Sequence, residues 1–103
     1  MPAPPPRPST PIEAALASSE ALTRLSDRLR RSNACFALIA PLLPAGLRAQ
    51  VRPGPIDEEG WALLVPHAAA AAKLRQLLPA LAAHLQSSGA GPVTIRVRIL
   101  PGG

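Results

Sequence analysis

The sequence has almost no aromatic side chains: Phe36 and Trp61 stand alone, and tyrosine is absent. A core must therefore be assembled from Leu, Val, Ile and Ala, with Trp61 as its one large plate. Acids are also scarce, six against eleven Lys and Arg, which leaves a net charge of +5 and a pI near 11.4. That balance disfavours cationic partners. It suits a polyanion such as nucleic acid, an anionic membrane or an acidic protein face, and it equally suits solubility alone. Ten of the eleven bases are Arg, alongside abundant Ala and Pro; coding composition can produce this bias, so Arg content alone argues no function. Cys35 is the only cysteine, which rules out an intramolecular disulfide and favours an intracellular setting. Within Ala34-Cys35-Phe36-Ala37-Leu38-Ile39-Ala40 its thiol reads as buried packing rather than a nucleophile. No long apolar run exists either. The longest uncharged stretch, Gln76 to Ile95, contains Pro79, His84, two Ser and two Gly, so no membrane span is expected. The start, MPAPPPRPSTP, lacks the apolar segment of a secretory signal.

A chain of 103 residues is one domain at most, and 48% hydrophobic residues with 17% charged argues for a folded core. Residues 1–11 hold six prolines and read as an extended, solvated arm. Residues 12–100 form the domain and 101–103 a tail. A helix is expected from about Ser9 to Ile12 onward. Thr10 suits its cap, Pro11 its first turn, and Glu13 lies three residues past the cap. Its apolar positions are Ile12, Ala15, Leu16, Ala21, Leu22, Leu25 and Leu29, with Glu20, Arg24, Asp27, Arg28 and Arg31 opposite. Arg28, Arg30 and Arg31 are placed to complement the dipole at its C-terminal end, a role that competes with nucleic-acid contact. Ser32-Asn33 reads as a break. Ala34–Leu43 reads as a second helical segment interrupted by Pro41.

Leu47 to Arg52 alternates apolar and polar residues, the pattern of a half-buried strand. Pro53–Gly60, with Asp57, Glu58 and Glu59, reads as a solvated hairpin tip. Gly60–Pro66 is nearly all apolar, hence a central strand paired antiparallel with Leu47–Arg52. His67–Gln86 is the main helix, with a stripe of Leu74, Leu77, Leu78, Leu81 and Leu85. Pro79 inside it should kink or split it. Gly89 or Gly91 supplies the helix stop. Val93–Leu100 alternates strictly, with Val93, Ile95, Val97 and Ile99 on one face and Thr94, Arg96 and Arg98 on the other. The economical assembly is α+β: two layers, order α-α-β-β-α-β, a three-stranded sheet with helices on one face, the last strand parallel to the Trp61 strand.

That assembly collects Arg48, Arg52, Arg96 and Arg98 on the open sheet face, in a setting poor in carboxylates. Such a face could grip phosphates without reading bases; ordinary strand amphipathicity produces the same pattern. The stretch from Trp61 to Leu100 contains no acid, and its charges are Lys73, Arg75, Arg96 and Arg98. No G-x-x-G clamp is present. Trp61 reads as core rather than a base-stacking platform, so nucleic-acid binding is expected to be weak, sequence-independent and salt-sensitive. Catalytic chemistry finds no foothold and no metal or other cofactor is expected. His67 and His84 are seventeen positions apart, on different helix faces, where a metal pair needs i,i+4. They read as surface or capping residues. Ser87-Ser88-Gly89 lacks a base at a recognisable spacing.

The stretch from about Leu22 to Leu100 resembles the DciA family of bacterial replicative-helicase operators. The resemblance rests on a Leu/Arg helix, LPAGLRAQV, an acidic turn, an apolar strand, AAKLRQLLPAL and the terminal VTIRVRI. Its most specific piece is Ala72-Lys73-Leu74-Arg75 followed by Leu77-Leu78-Pro79-Ala80-Leu81, including the mid-helix proline. The resemblance implies a KH-like fold, a cytoplasmic setting, binding to single-stranded or tailed DNA, and a complex with a DnaB-type helicase. Lys73 and Arg75 match the family's basic helix start and take DNA contact from it. Family members usually carry a tryptophan where this chain has alanines near Ala70, and many have a C-terminal extension that engages the helicase, whereas this sequence ends at Gly103. The alternative is a protein-interaction module, able to self-associate through the Ala-rich helix face or the Val93–Leu100 edge, with no nucleic-acid role.

Overall fold

A computed structural model of the chain describes residues 11–101. The proline-rich arm, the proposed Thr10 cap and the last two residues lie outside that range. The elements run α1 (Pro11–Ile39), a 3-10 turn (Ala40–Leu42), α2 (Ala45–Arg48), β1 (Arg52–Asp57), β2 (Gly60–Val65), α3 (Ala68–Ser87) and β3 (Ile95–Ile99). This is the expected α+β order, α-α-β-β-α-β, with one three-stranded sheet ordered β1-β2-β3. β1 pairs antiparallel with β2, and β3 pairs parallel with β2 after the α3 crossover. No helix among the described residues is long and apolar enough to cross a membrane.

Three boundaries differ from the sequence reading, each for a physical reason. Ser32-Asn33 does not break α1, which runs 29 residues without interruption. Ser32 is buried because it has a partner: the Trp61 indole N–H donates to its Oγ at 2.9 Å, and its hydroxyl donates to the Gly54 carbonyl at 2.8 Å. Because the helix continues to Ile39, Arg28, Arg30 and Arg31 sit in its interior and do not serve its C-terminal dipole. Arg30 reaches Asp27, at 3.0 Å.

The second difference is Leu47–Arg52, of which only Arg52, the first residue of β1, is strand. Leu47 and Val51 are buried while Ala49 is exposed, so the true spacing is i,i+4 on a helical turn. The bonds agree: Arg48 N–H reaches Pro44 O at 2.8 Å, Ala49 N–H reaches Ala45 O at 3.2 Å, and Val51 N–H reaches Leu47 O at 3.1 Å.

The third follows from the second: the strand lies one segment later, in Arg52–Asp57, of which the sequence reading gave Pro53–Asp57 to a loop. Prolines are tolerated there because β1 is an edge strand, where a missing N–H costs no ladder bond, and because a bulge interrupts the register between Pro53 and Ile56. Asp57 closes the hairpin by accepting from the N–H groups of Glu59 (2.8 Å) and Gly60 (3.2 Å).

The core lies between the sheet and the helices. Trp61, Leu63 and Val65 of β2 alternate toward Leu74, Leu81 and Leu85 of α3 and Cys35 and Ile39 of α1, all essentially inaccessible. Burial pushes the Cys35 thiol pKa up, with Arg31 partly opposing, so the thiol stays protonated and unreactive. Ala70 and Ala71 are buried, which lets α3 lie close on its neighbours. Pro79 does not split α3, which runs on as one 20-residue helix with Pro79 on its exposed side. His67 caps α3: it is extended, and its Nδ1 accepts from Ala70 N–H at 3.1 Å. Its replacement by alanine removes one end bond and is expected to cost about 1 kcal/mol of stability in urea unfolding; His67→Asp, which keeps an acceptor, should recover most of it.

Candidate nucleic-acid interface

Pairing register decides which side chains share a face. Arg52, Leu64 and Arg98 are consecutive cross-strand partners, so they form one row across the sheet. Ala62 and Arg96 form the next row and Asp57 and Gly60 the one after. All lie on the face opposite Trp61, Leu63 and Val65. The structure thus brings Arg52, Arg96 and Arg98 together on the outer face, as the strand pattern requires. Arg48 is not among them. It sits on α2, outside the sheet, and its guanidinium reaches back to the Leu43 carbonyl at 3.4 Å.

The three arginines of the outer face are not equivalent. Arg96 is half-buried and faces two carboxylates, Asp57 at 3.9 Å and Glu59 at 3.6 Å. Its Nε is buried with no hydrogen-bond partner among the described residues. The face is therefore not free of acids at this end, a correction to the sequence reading with a topological cause. Parallel pairing of β3 with β2 sets Ile95 beside Trp61, which brings the start of β3 against the β1–β2 turn where three of the six acids reside. Once the strand is placed at Arg52–Asp57 rather than Leu47–Arg52, that contact becomes unavoidable. Arg28 and Arg31 of α1 border the same acidic turn from the other side.

At the opposite end of the face, Arg52 and Arg98 are exposed, flank the half-buried Leu64, and have no carboxylate within ion-pair distance among the described residues. The outer face is thus electrically divided, neutralised at the Asp57 end and uncompensated at the Arg98 end. Two guanidinium groups on either side of Leu64 can each take a phosphate in a bidentate contact.

Lys73 and Arg75 lie elsewhere. Both are exposed on α3, in the helical layer on the far side of the sheet. Two residues apart, they point to different sides of the helix. Lys73 borders a groove of about 550 Å³ between α2 and α3, lined also by Pro44, Gly46, Leu47, Gln50, Gln76 and Leu77. The six candidate bases therefore fall into three places rather than one patch. Trp61 is fully buried, and stacking on bases is closed to it. His84 is half-buried near the end of α3, and among the described residues no group of three or more His, Cys, Asp or Glu is placed to hold a metal ion.

No family model matches this chain, and no curated protein matches it in sequence.

Proposed function

We propose that this protein binds nucleic-acid backbone as a DciA-like accessory protein of a DnaB-type bacterial replicative helicase, in the cytoplasm. The observation that carries the reading is the uncompensated pair Arg52 and Arg98 across Leu64 on an open sheet face. The net charge of +5 supports it, as does the resemblance of Leu22–Leu100 to that family. Binding by such a pair is electrostatic and indifferent to sequence, since nothing on the face is shaped to read base edges.

The reading separates the arginines by experiment. In fluorescence anisotropy with labelled single-stranded and tailed DNA at low salt, Arg52→Ala and Arg98→Ala should each weaken binding about tenfold. Arg96→Ala should change it less, because the carboxylates of Asp57 and Glu59 lie 3.9 and 3.6 Å from that guanidinium and offset its charge. Equal losses at all three would mean that net charge alone drives association. The helicase part stands on a pull-down with the replicative helicase of the same cell: retention supports it, and absence of a complex with and without DNA removes it.

A second reading, a protein-interaction module without a nucleic-acid role, draws on a different observation, the apolar stripe left uncovered on α1.

A further inference from the structure

The face of α1 that seats on the core continues past the core with nothing beneath it among the described residues. Ser32, Cys35 and Ile39 are buried against the body. One to three turns earlier, on the same side of the helix at three- and four-residue steps, come Leu29, Leu25 and Leu22. These are 57%, 55% and 61% exposed. Leu16 lies off this stripe, while Ser18 and Ala15 continue it with small side chains, both exposed. The projecting half of α1 draws the molecule out to 65 × 35 × 20 Å, with a radius of gyration of 19.0 Å, where a compact chain of this size has about 13 Å. A lone helical segment of this length is marginal in water and gains its stability from a covered apolar face.

At the foot of the stripe lies an apolar groove of about 410 Å³, walled by Leu25 and Leu29 on one side and Pro53, Pro55 and Ile56 on the other. Leu64 of the central strand reaches it because Gly54 has no side chain; a Cβ there would stand 3.1 Å from the Leu64 side chain and 2.8 Å from the Ala62 carbonyl.

We propose that this stripe and groove are covered by α1 of a second copy of the chain, paired antiparallel about a two-fold axis between Thr23 and Arg24. Side-chain size selects this occupant. The stripe is large at one end and small at the other. Antiparallel pairing sets Leu29 against the partner's Ser18 and Leu25 against the partner's Leu22. The partner's Ala15 comes to the groove beside Ser32. Leu29 then meets a space rather than another leucine, as knobs meet holes in antiparallel helix pairs. The Ser18 hydroxyl is satisfied without a partner across the seam, because a helical serine can bond a carbonyl one turn back on its own helix. A parallel pair would set leucine on leucine and leave serine facing serine and alanine facing alanine. Charge selects the same orientation. From Ala15 to Thr23 the one charge is that of Glu20, whereas Arg24, Asp27, Arg28, Arg30 and Arg31 give the next stretch a net charge of +3. Antiparallel pairing lays the Glu20 end beside the basic end and opposes the two helix dipoles; parallel pairing stacks arginines on arginines. The three leucines alone fall short of the roughly 800 Å² per partner of a standard interface. The groove walls on the edge strand, Pro53 and Pro55, add to that area where the partner's Ala15 comes beside Ser32.

Sedimentation velocity over a micromolar to millimolar concentration series tests this directly. The expected species at high concentration has twice the 10.7 kDa mass of the chain, and Leu25→Glu holds the protein at the single mass with the buried Trp61 emission unchanged. A single mass throughout, or a dimer that survives Leu25→Glu, overturns the proposal. Orientation is read by cysteine pairing: Ser18→Cys with Leu29→Cys should give a covalent dimer under mild oxidation, and Ser18→Cys alone should not. The two positions lie 11 residues apart on one helix, about 16 Å along its axis, so they cannot bridge within one chain. A dimer that fails to cross-link in the double variant, or that cross-links through Ser18→Cys alone, overturns the antiparallel arrangement.

Discussion

Trp61→Ala is expected to leave the domain largely unfolded at room temperature. The side chain is fully inaccessible and is the largest in the core. Truncating a buried tryptophan costs about 3–5 kcal/mol in lost transfer energy and residual cavity. The cost continues beyond the cavity. The Trp61 indole N–H is the donor that Ser32 receives inside the body, and Ser32 in turn bonds the carbonyl of Gly54 on the bulged edge strand. Without the indole, a buried hydroxyl loses half of its hydrogen bonding, and β2 loses its side-chain tie to the α1–β1 pair. A domain of about 100 residues has about 5 kcal/mol or little more in reserve, so the loss consumes it. Far-ultraviolet circular dichroism against urea measures this, since tryptophan emission disappears with the residue. Trp61→Phe, which keeps most of the volume, should remain folded with a loss of about 2 kcal/mol, and Ser32→Ala should lose about 1–3 kcal/mol by stranding the indole N–H.

Gly60→Ala is expected to cost about 4 kcal/mol, and for a reason independent of hydrophobicity. Gly60 opens β2 with φ +142, a conformation that side chains resist, and a Cβ there would overlap the Thr94 carbonyl oxygen. That carbonyl accepts the Trp61 N–H at 2.8 Å. The contact locks the residue before β3 to the start of β2 and fixes the parallel register in which Trp61 lies beside Ile95. Moving Thr94 away therefore loosens β3 along its length and, with it, the placement of Arg98. The expected result is a lower urea midpoint together with weakened DNA binding. Ala62→Gly, on the same strand and face, should lower stability by about 1 kcal/mol with DNA binding retained.

How far the sequence discloses this structure depends on which interaction sets each element. The strands Gly60–Val65 and Ile95–Ile99 and the helix between them are legible because their patterns come from burial on one or two faces. Leu47–Val51 misleads because two buried residues four apart satisfy both a helical turn and a strand's alternation, and only the exposure of Ala49 separates them. β1 is hidden by composition. Pro53, Gly54 and Pro55 spell a loop unless an edge position and a bulge are known beforehand, and both are properties of the sheet rather than of the segment. Ser32 reads as a helix break because its bonding partner is 29 residues away. At the candidate interface, alternation places Arg96 and Arg98 together, but the difference between them arises from the turn at Asp57–Glu59, whose nearness to β3 is a tertiary fact. Lys73 and Arg75, adjacent in a motif, diverge because helical geometry separates positions two apart.

The most direct test of phosphate contact by the Arg52–Arg98 row is the salt dependence of DNA affinity. Each phosphate neutralised adds about 0.7 to the log–log slope for single strands and about 0.9 for duplex. The double substitution Arg52→Ala with Arg98→Ala should flatten the slope by about two such increments, while Arg96→Ala leaves it as in the parent chain. A slope unchanged in the double variant, or no DNA binding by the parent chain at low salt, would contradict the assignment of the outer sheet face as the nucleic-acid surface.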